Sequence, residues 1–250
     1  MTALVQSATQ VNVAGSSSTA PSIVINGTVG GNAIVAYASL WDWNTTWTLT
    51  DTTDGGNTFT TREGSGTQPA DSRSRAVVAS AVNITGGDRT VAFNMAGTSG
   101  AGNRYYVLGC QEFSGVAPTS PEDTFDVNAE IDITSADVNA GPVTPTDAAD
   151  LRVGCASINN ATDSAIAFGS PTSWNNSYRQ NDGVTYIPMD AGYWLPAAIQ
   201  TTYTPQWSHD NAAFFGAGVV VALKPAAAAA GQVPILCTSR PRAFAPGLTR

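Results

Sequence analysis

Along most of this chain apolar and polar residues alternate in short runs. Examples are "IVAYASLW" (34–41), "TWTLTD" (46–51), "NTFTTR" (57–62), "AVVASAVNI" (76–84), "RTVAFNM" (89–95) and "RYYVLGCQEF" (104–113). The runs are rich in β-branched and aromatic residues and end at clusters of Gly, Asn, Asp or Pro, as strands and their turns do. "TDGGN" and "ITGGD" carry turn chemistry, because Gly supplies the positive φ that tight hairpins need. No segment keeps a 3.6-residue period between caps, and the run Ala226 to Ala230 is too short to hold a helix alone. The pattern predicts an all-β chain of about 14 to 16 strands.

The second half repeats the order of the first. "GGNAIVAYASLWDW" (30–43) corresponds to "DAADLRVGCASINN" (147–160), with Ala38 and Ser39 matching Ala156 and Ser157. "TVAFNMAGTSGAGNRYYVLGCQEFSGV" (90–116) corresponds to "TYTPQWSHDNAAFFGAGVVVALKP" (202–225). Between these anchors each half places an aromatic, polar hairpin, "NTTWTLTDTTDGGNTFTTR" against "SAIAFGSPTSWNNSYRQ". We therefore expect one large antiparallel, jelly-roll-like β-sandwich over residues 1–225, built from pseudo-repeats of about 1–117 and 118–225. Two tandem sandwiches divided near residues 114–125 are the second arrangement. Each half ends in an apolar strand suited to the centre of a sheet.

Composition agrees: 24 Gly, 14 Pro and 12% charged residues suit many short strands and tight turns. Charge adds a division. The net charge is −8, but residues 226–250 hold Arg240, Arg242 and Arg250 and no acid. Removing those three leaves eight basic against nineteen acidic groups over 1–225, a net of −11. Such a body repels nucleic acid and anionic membranes, so neither is an expected partner. No run approaches 18 apolar residues, and "MTALVQSATQVNV" has neither the basic nor the apolar region of a secretory signal. Three cysteines do not make a disulfide scaffold. Cys110 and Cys155 fall in apolar strand runs as small buried thiols, and Cys237 falls in the basic tail.

Candidate chemistry is sparse. His209 is the one histidine, G-x-S-x-G is absent, and His209 reads as a polar loop residue. One His and three scattered Cys cannot build a zinc cluster. Asp51, Asp54 and Asn57 form the one turn on which calcium would find oxygens, but a hairpin turn explains the same residues, so no cofactor is expected. Glu112 lies in a long apolar strand, where alternation could bury it. A structural carboxylate, paired with Arg104 or Arg152 or solvated at a sheet edge, is a plainer reading than half of a catalytic pair. The acids of "SPEDTFDVNAEIDITSAD" read as a solvated loop. Trp41, Trp43, Trp47, Trp174 and Tyr178 read first as packing rings, with a glycan-binding face as the alternative.

The segments "GGNAIVAYASLWDW", "TLTDTTDGGNTFT", "YYVLGCQEFSGV", "DAADLRVGCASI" and "GVVVALKP" together resemble a family of β-sandwich domains found in phage structural proteins and bacterial surface proteins. The resemblance covers about residues 3 to 225 and departs from the family pattern at Gln111, where a small residue is usual before the glutamate. It implies a fold and brings no catalytic residues with it.

The tail after Pro225 lies outside that pattern. Residues 226–250 have too few apolar groups to fold alone, and Pro234, Pro241 and Pro246 break any helix. "VPILC" suits a strand added to a neighbour's sheet, so Val233, Ile235, Leu236, Cys237, Arg240, Arg242, Phe244 and Arg250 are the expected partner-binding residues. The sequence-level expectation is a non-enzymatic virion protein: a phage capsid decoration or head-fibre component, made in the host cytoplasm and released by lysis. Its arm would bind a major capsid or other virion protein, and by analogy the protein would self-associate as a trimer.

Overall fold

A computed structural model describes residues 1–12, 20–42, 48–67, 73–97, 104–131, 137–147, 149–159, 166–170, 175–180, 189–195, 202–209 and 215–227. The described residues form sixteen strands and no helix. The first eight are β1 (Ala3–Asn12), β2 (Ser22–Thr28), β3 (Ala33–Asp42), β4 (Thr48–Thr53), β5 (Thr60–Thr67), β6 (Arg73–Ala81), β7 (Gly87–Ala96) and β8 (Arg104–Ser114). The second eight are β9 (Glu122–Ile131), β10 (Asp137–Asn139), β11 (Leu151–Asn159), β12 (Ile166–Ser170), β13 (Asn175–Gln180), β14 (Met189–Trp194), β15 (Gln206–His209) and β16 (Phe215–Leu223).

Every strand pairing is antiparallel. The first half makes a five-stranded sheet, β1-β8-β3-β6-β5, and a three-stranded sheet, β2-β7-β4. The second half makes β9-β16-β11-β14-β13 and β10-β15-β12, the same orders with every strand number raised by eight. The described strands thus form four antiparallel sheets packed together, an all-β sandwich architecture. Each half closes its own pair of sheets, and the two five-stranded sheets then pack face to face, with β5 over β9, β6 over β16 and β3 over β11.

Alternation along the central strands explains the layers. On β3, Ile34, Ala36, Ala38 and Leu40 face the three-stranded sheet and pack with Ile23, Val91 and Phe93. The intervening Ala33, Val35, Tyr37 and Trp41 face the seam between the halves. A strand buried on both faces must read as a nearly continuous apolar run, which is what "IVAYASLW" is. β11 and β16 do the same, with Leu151, Val153, Cys155, Val219 and Val221 in the seam and Ile158 and Val220 packed on Trp207 behind it.

The seam is closely fitted. Ser39 and Ser157, matched in the sequence repeat, meet across it with their hydroxyl oxygens 2.6 Å apart, and Ser74 Oγ lies 2.7 Å from Ser157 Oγ. A Cβ on Gly64 would stand 2.7 Å from the Gly218 carbonyl oxygen and 2.8 Å from that of Asn128, so β5 reaches β9 and β16 only because residue 64 has no side chain.

Two sequence expectations need correction. The acidic stretch read as a solvated loop contains β9, a ten-residue edge strand paired with β16. Its Phe125, Val127, Ala129 and Ile131 alternate with polar residues, and charge obscured that period. His209 is the last residue of β15, opposite Ile166, rather than a loop residue.

Candidate functional site

Groups with perturbed chemistry gather where the chain leaves the sandwich. After β16, the Lys224 amide donates to Pro121 O at 2.7 Å and the Ala117 amide donates to Lys224 O at 2.9 Å. Pro225 bridges Val116, and the Ala226 amide donates to Gly115 O at 2.8 Å. The root of the C-terminal segment is thus stitched to the connection between the halves, residues 115–121. Gly115 permits this. Its φ is 73°, and a Cβ there would stand 2.5 Å from Met1 O. Beside the root lies a hollow of about 390 Å³ lined by Thr146, Asp147, Lys224, Pro225, Ala226 and Ala227.

Two further carboxyls, those of Asp123 and Asp150, lie near enough to perturb each other. Asp123, the second residue of β9, accepts bonds from the Thr146 amide and from Thr146 Oγ1, the latter at 2.6 Å, and Lys224 Nζ lies 3.9 Å from its Oδ1. Asp150, just before β11, is fully buried, and among the described residues neither of its oxygens has a donor. Burial, then the neighbouring Asp123 and the charge of Asp147, push Asp150 up to about 7. Burial also acts to raise Asp123, but the Thr146 donors, the neighbouring Asp150 and the Lys224 charge outweigh it and hold Asp123 below the ordinary carboxyl range.

Arg152 lies two residues further along β11, fully buried, with Cζ 4.5 Å from the Trp194 ring centre and 4.8 Å from that of Tyr203. Those two rings meet edge to face at 5.7 Å. None of its three guanidinium nitrogens has an acceptor among the described residues, so the π faces hold the cation. Burial lowers the Arg152 pKa, and the neighbouring Tyr203 and Asp150 groups oppose that.

The residues expected to carry function distribute differently. Trp41 is 1% exposed in the seam core, its ring 5.1 Å from that of Tyr105. That corrects its place on a glycan-binding face, since no ring surface is left for a sugar. Tyr178 lies on β13 opposite Ala191. Trp43, Trp47 and Trp174 lie outside the described residues, as do Val233, Ile235, Leu236, Cys237, Arg240, Arg242, Phe244 and Arg250.

Glu112 is buried, Arg152 is not among its described partners, and Arg104 stands at the opposite end of the same strand. The Glu112 carboxylate accepts from the Val29 amide at 2.8 Å, Asn32 Nδ2 at 2.6 Å and Gln6 Nε2 at 2.6 Å, pinning β1 and the β2–β3 turn to β8. Asp54 Oδ1 accepts the Gly56 and Asn57 amides at 3.0 and 2.7 Å, Asn57 Oδ1 accepts the Thr85 amide at 2.9 Å, and Asp51 accepts from Asn94 Nδ2 at 2.7 Å. The oxygens weighed for calcium are thus engaged in the hairpin. Among the described residues no group of three or more His, Cys, Asp or Glu is arranged to hold a metal. Cys110 and Cys155 are buried, and burial pushes both thiols well up.

The Asp123–Asp150 pair was missed in the sequence. Its trace is "DAADLRV", where Asp150 and Arg152 flank the first residue of a strand otherwise apolar on both faces. Asp150 stands where the first half has Asn32, the partner of Glu112. Compared with protein-family models, curated proteins and solved structures, the chain has no match in any of the three. The resemblance to phage β-sandwich domains rests on the motifs quoted above.

Proposed function

We propose that this protein is a non-catalytic structural component of a phage particle, a capsid decoration or head-fibre protein that docks through its C-terminal arm. The observation that carries the reading is the root of that arm. Residues 224–226 are bonded to the connection between the halves, so the basic segment departs from a defined point on an acidic, layered body. A tether fixed at its root and free of acids suits attachment to a shell or to another copy, with the sandwich displayed outward. The buried carboxylate Glu112 supports the same reading, because its acceptor sites are taken by structural donors. The expected partners are a major capsid or other virion protein and further copies of this chain, with a trimer expected by analogy.

The test compares residues 1–250 with residues 1–227, a cut that keeps the Ala226 bond, for binding to particles stripped of this protein. Binding by the full chain alone supports docking through the arm. Equal binding by both moves the contact to the sandwich, and a glycan screen with variants of Trp43 and Trp174 becomes the next step. Binding by neither overturns the decoration reading.

A further inference from the structure

β9 ends a sheet. It is paired with β16 on one side, and on the other the described residues place no strand. An edge ten residues long presents a row of backbone donors and acceptors there. Phe125 and Val127, two positions apart and so on one face, are 41% and 37% exposed. Arg62 covers part of the Phe125 ring, its Cζ 3.7 Å from the ring centre.

Charge separates β9 from the other edges. It carries Glu122, Asp123, Asp126 and Glu130 and no base. The other ends of the five-stranded sheets are β1 and β13, which hold no acid, and β5, where Glu63 is bridged to the buried Arg75 at 2.7 Å. The outer strands of the three-stranded sheets, β2, β4, β10 and β12, hold at most one acid each. Joining β9 to β9 of another copy would set four acids against four, so this edge disfavours itself and favours a basic strand.

The chain holds one such segment. Residues 228–250, outside the described residues, contain "VPILC" followed by Arg240, Arg242 and Arg250 and no acid. A strand in which Val233, Ile235 and Cys237 bond to β9 turns Pro234, which has no N–H, toward solvent, where an outermost strand tolerates it. The root of the arm is bonded to residues 115, 117 and 121, just before β9 begins. An arm leaving there runs along its own β9 in parallel. The arm of another copy can enter antiparallel, as every described pairing does.

We propose that the arm of one copy adds as a strand to the outer edge of β9 in the next copy, with Ile235 beside Phe125 and Val127 and the arginines over the β9 acids. The inference rests on the reading of the arm as a docking segment and names its acceptor. Each copy then offers one arm and one edge, a head-to-tail contact that closes into a ring or continues as a chain.

The experiment uses the purified full chain without particles. Sedimentation should show association of residues 1–250 and none of residues 1–227. Arg240→Glu combined with Arg242→Glu should weaken association by about tenfold or more, because like charges then meet at the edge. Ile235→Asp breaks the apolar contact and should do the same. These substitutions touch no described contact, so the sandwich keeps its fold. Amide exchange of Phe125 and Val127 should slow by about tenfold between dilute and concentrated full chain, while β1 amides keep their rates. A full chain that stays monomeric up to about 100 μM overturns the proposal. So does association that persists in 1–227, that neither break weakens, or that leaves β9 exchange unchanged. Protection of β9 present in the monomer and lost in 1–227 assigns the edge to the chain's own arm, and also overturns it. A full chain that binds stripped particles but not itself leaves the docking reading standing while this one falls, so the two fail separately.

Discussion

At the scale of single residues, the informative positions are polar groups inside an apolar frame. Glu112 was legible as a buried carboxylate because it sits in "YYVLGCQEF", but its partners were not. Gln6, Val29 and Asn32 lie some 80 to 106 positions away in sequence and meet it only once β1, β3 and β8 are paired. Glu112→Gln would turn one acceptor into a donor facing donors. We expect a loss of about 1–3 kcal/mol in stability, read from urea unfolding, because a buried bond to a charged group is exchanged for an unmet one. Asp150 was not legible at all, since no local pattern tells a carboxyl at a strand start that another carboxyl will face it.

At the scale of elements, periodicity found the apolar central strands and missed the acidic edge strand β9. β3, β6, β7 and β8 coincide with runs read from the sequence, whereas β9 was hidden by its acids. An edge strand is free to carry charge because one side needs no ladder partner. The approach of β5 to β9 and β16 depends on Gly64. Gly64→Ala should lower stability by about 1–3 kcal/mol, because the oxygens a Cβ meets belong to backbone and cannot rotate aside. Gly30→Ala, whose Cβ would find its nearest atom at 3.5 Å, should by comparison leave the melting temperature nearly unchanged. Calorimetry on the two variants checks both.

At the scale of the whole molecule, the seam makes two similar halves one body. Its core takes side chains from both: Ala33, Val35, Tyr37 and Phe113 from the first, Leu151, Val153, Val219 and Leu223 from the second. We expect a single unfolding transition by heat or denaturant. Leu151→Ala should destabilise by about 2–5 kcal/mol and lower protection in β7 as well as in β15. Two separated transitions, or an effect confined to the second half, would show that the halves unfold independently.

By itself the sequence determined the all-β class and the apolar central strands, because alternation and turn chemistry are local and recur every few residues. It also determined that the charge of the tail opposes that of the body, since charge is a sum. Only the tertiary structure decided that the halves stack through their larger sheets, that Trp41 lies in the seam, and that Asp123 and Thr146 meet beside Lys224. Those facts depend on which surfaces meet across a hundred or more residues, and apolar faces of similar width and pattern do not name their partners until they are packed.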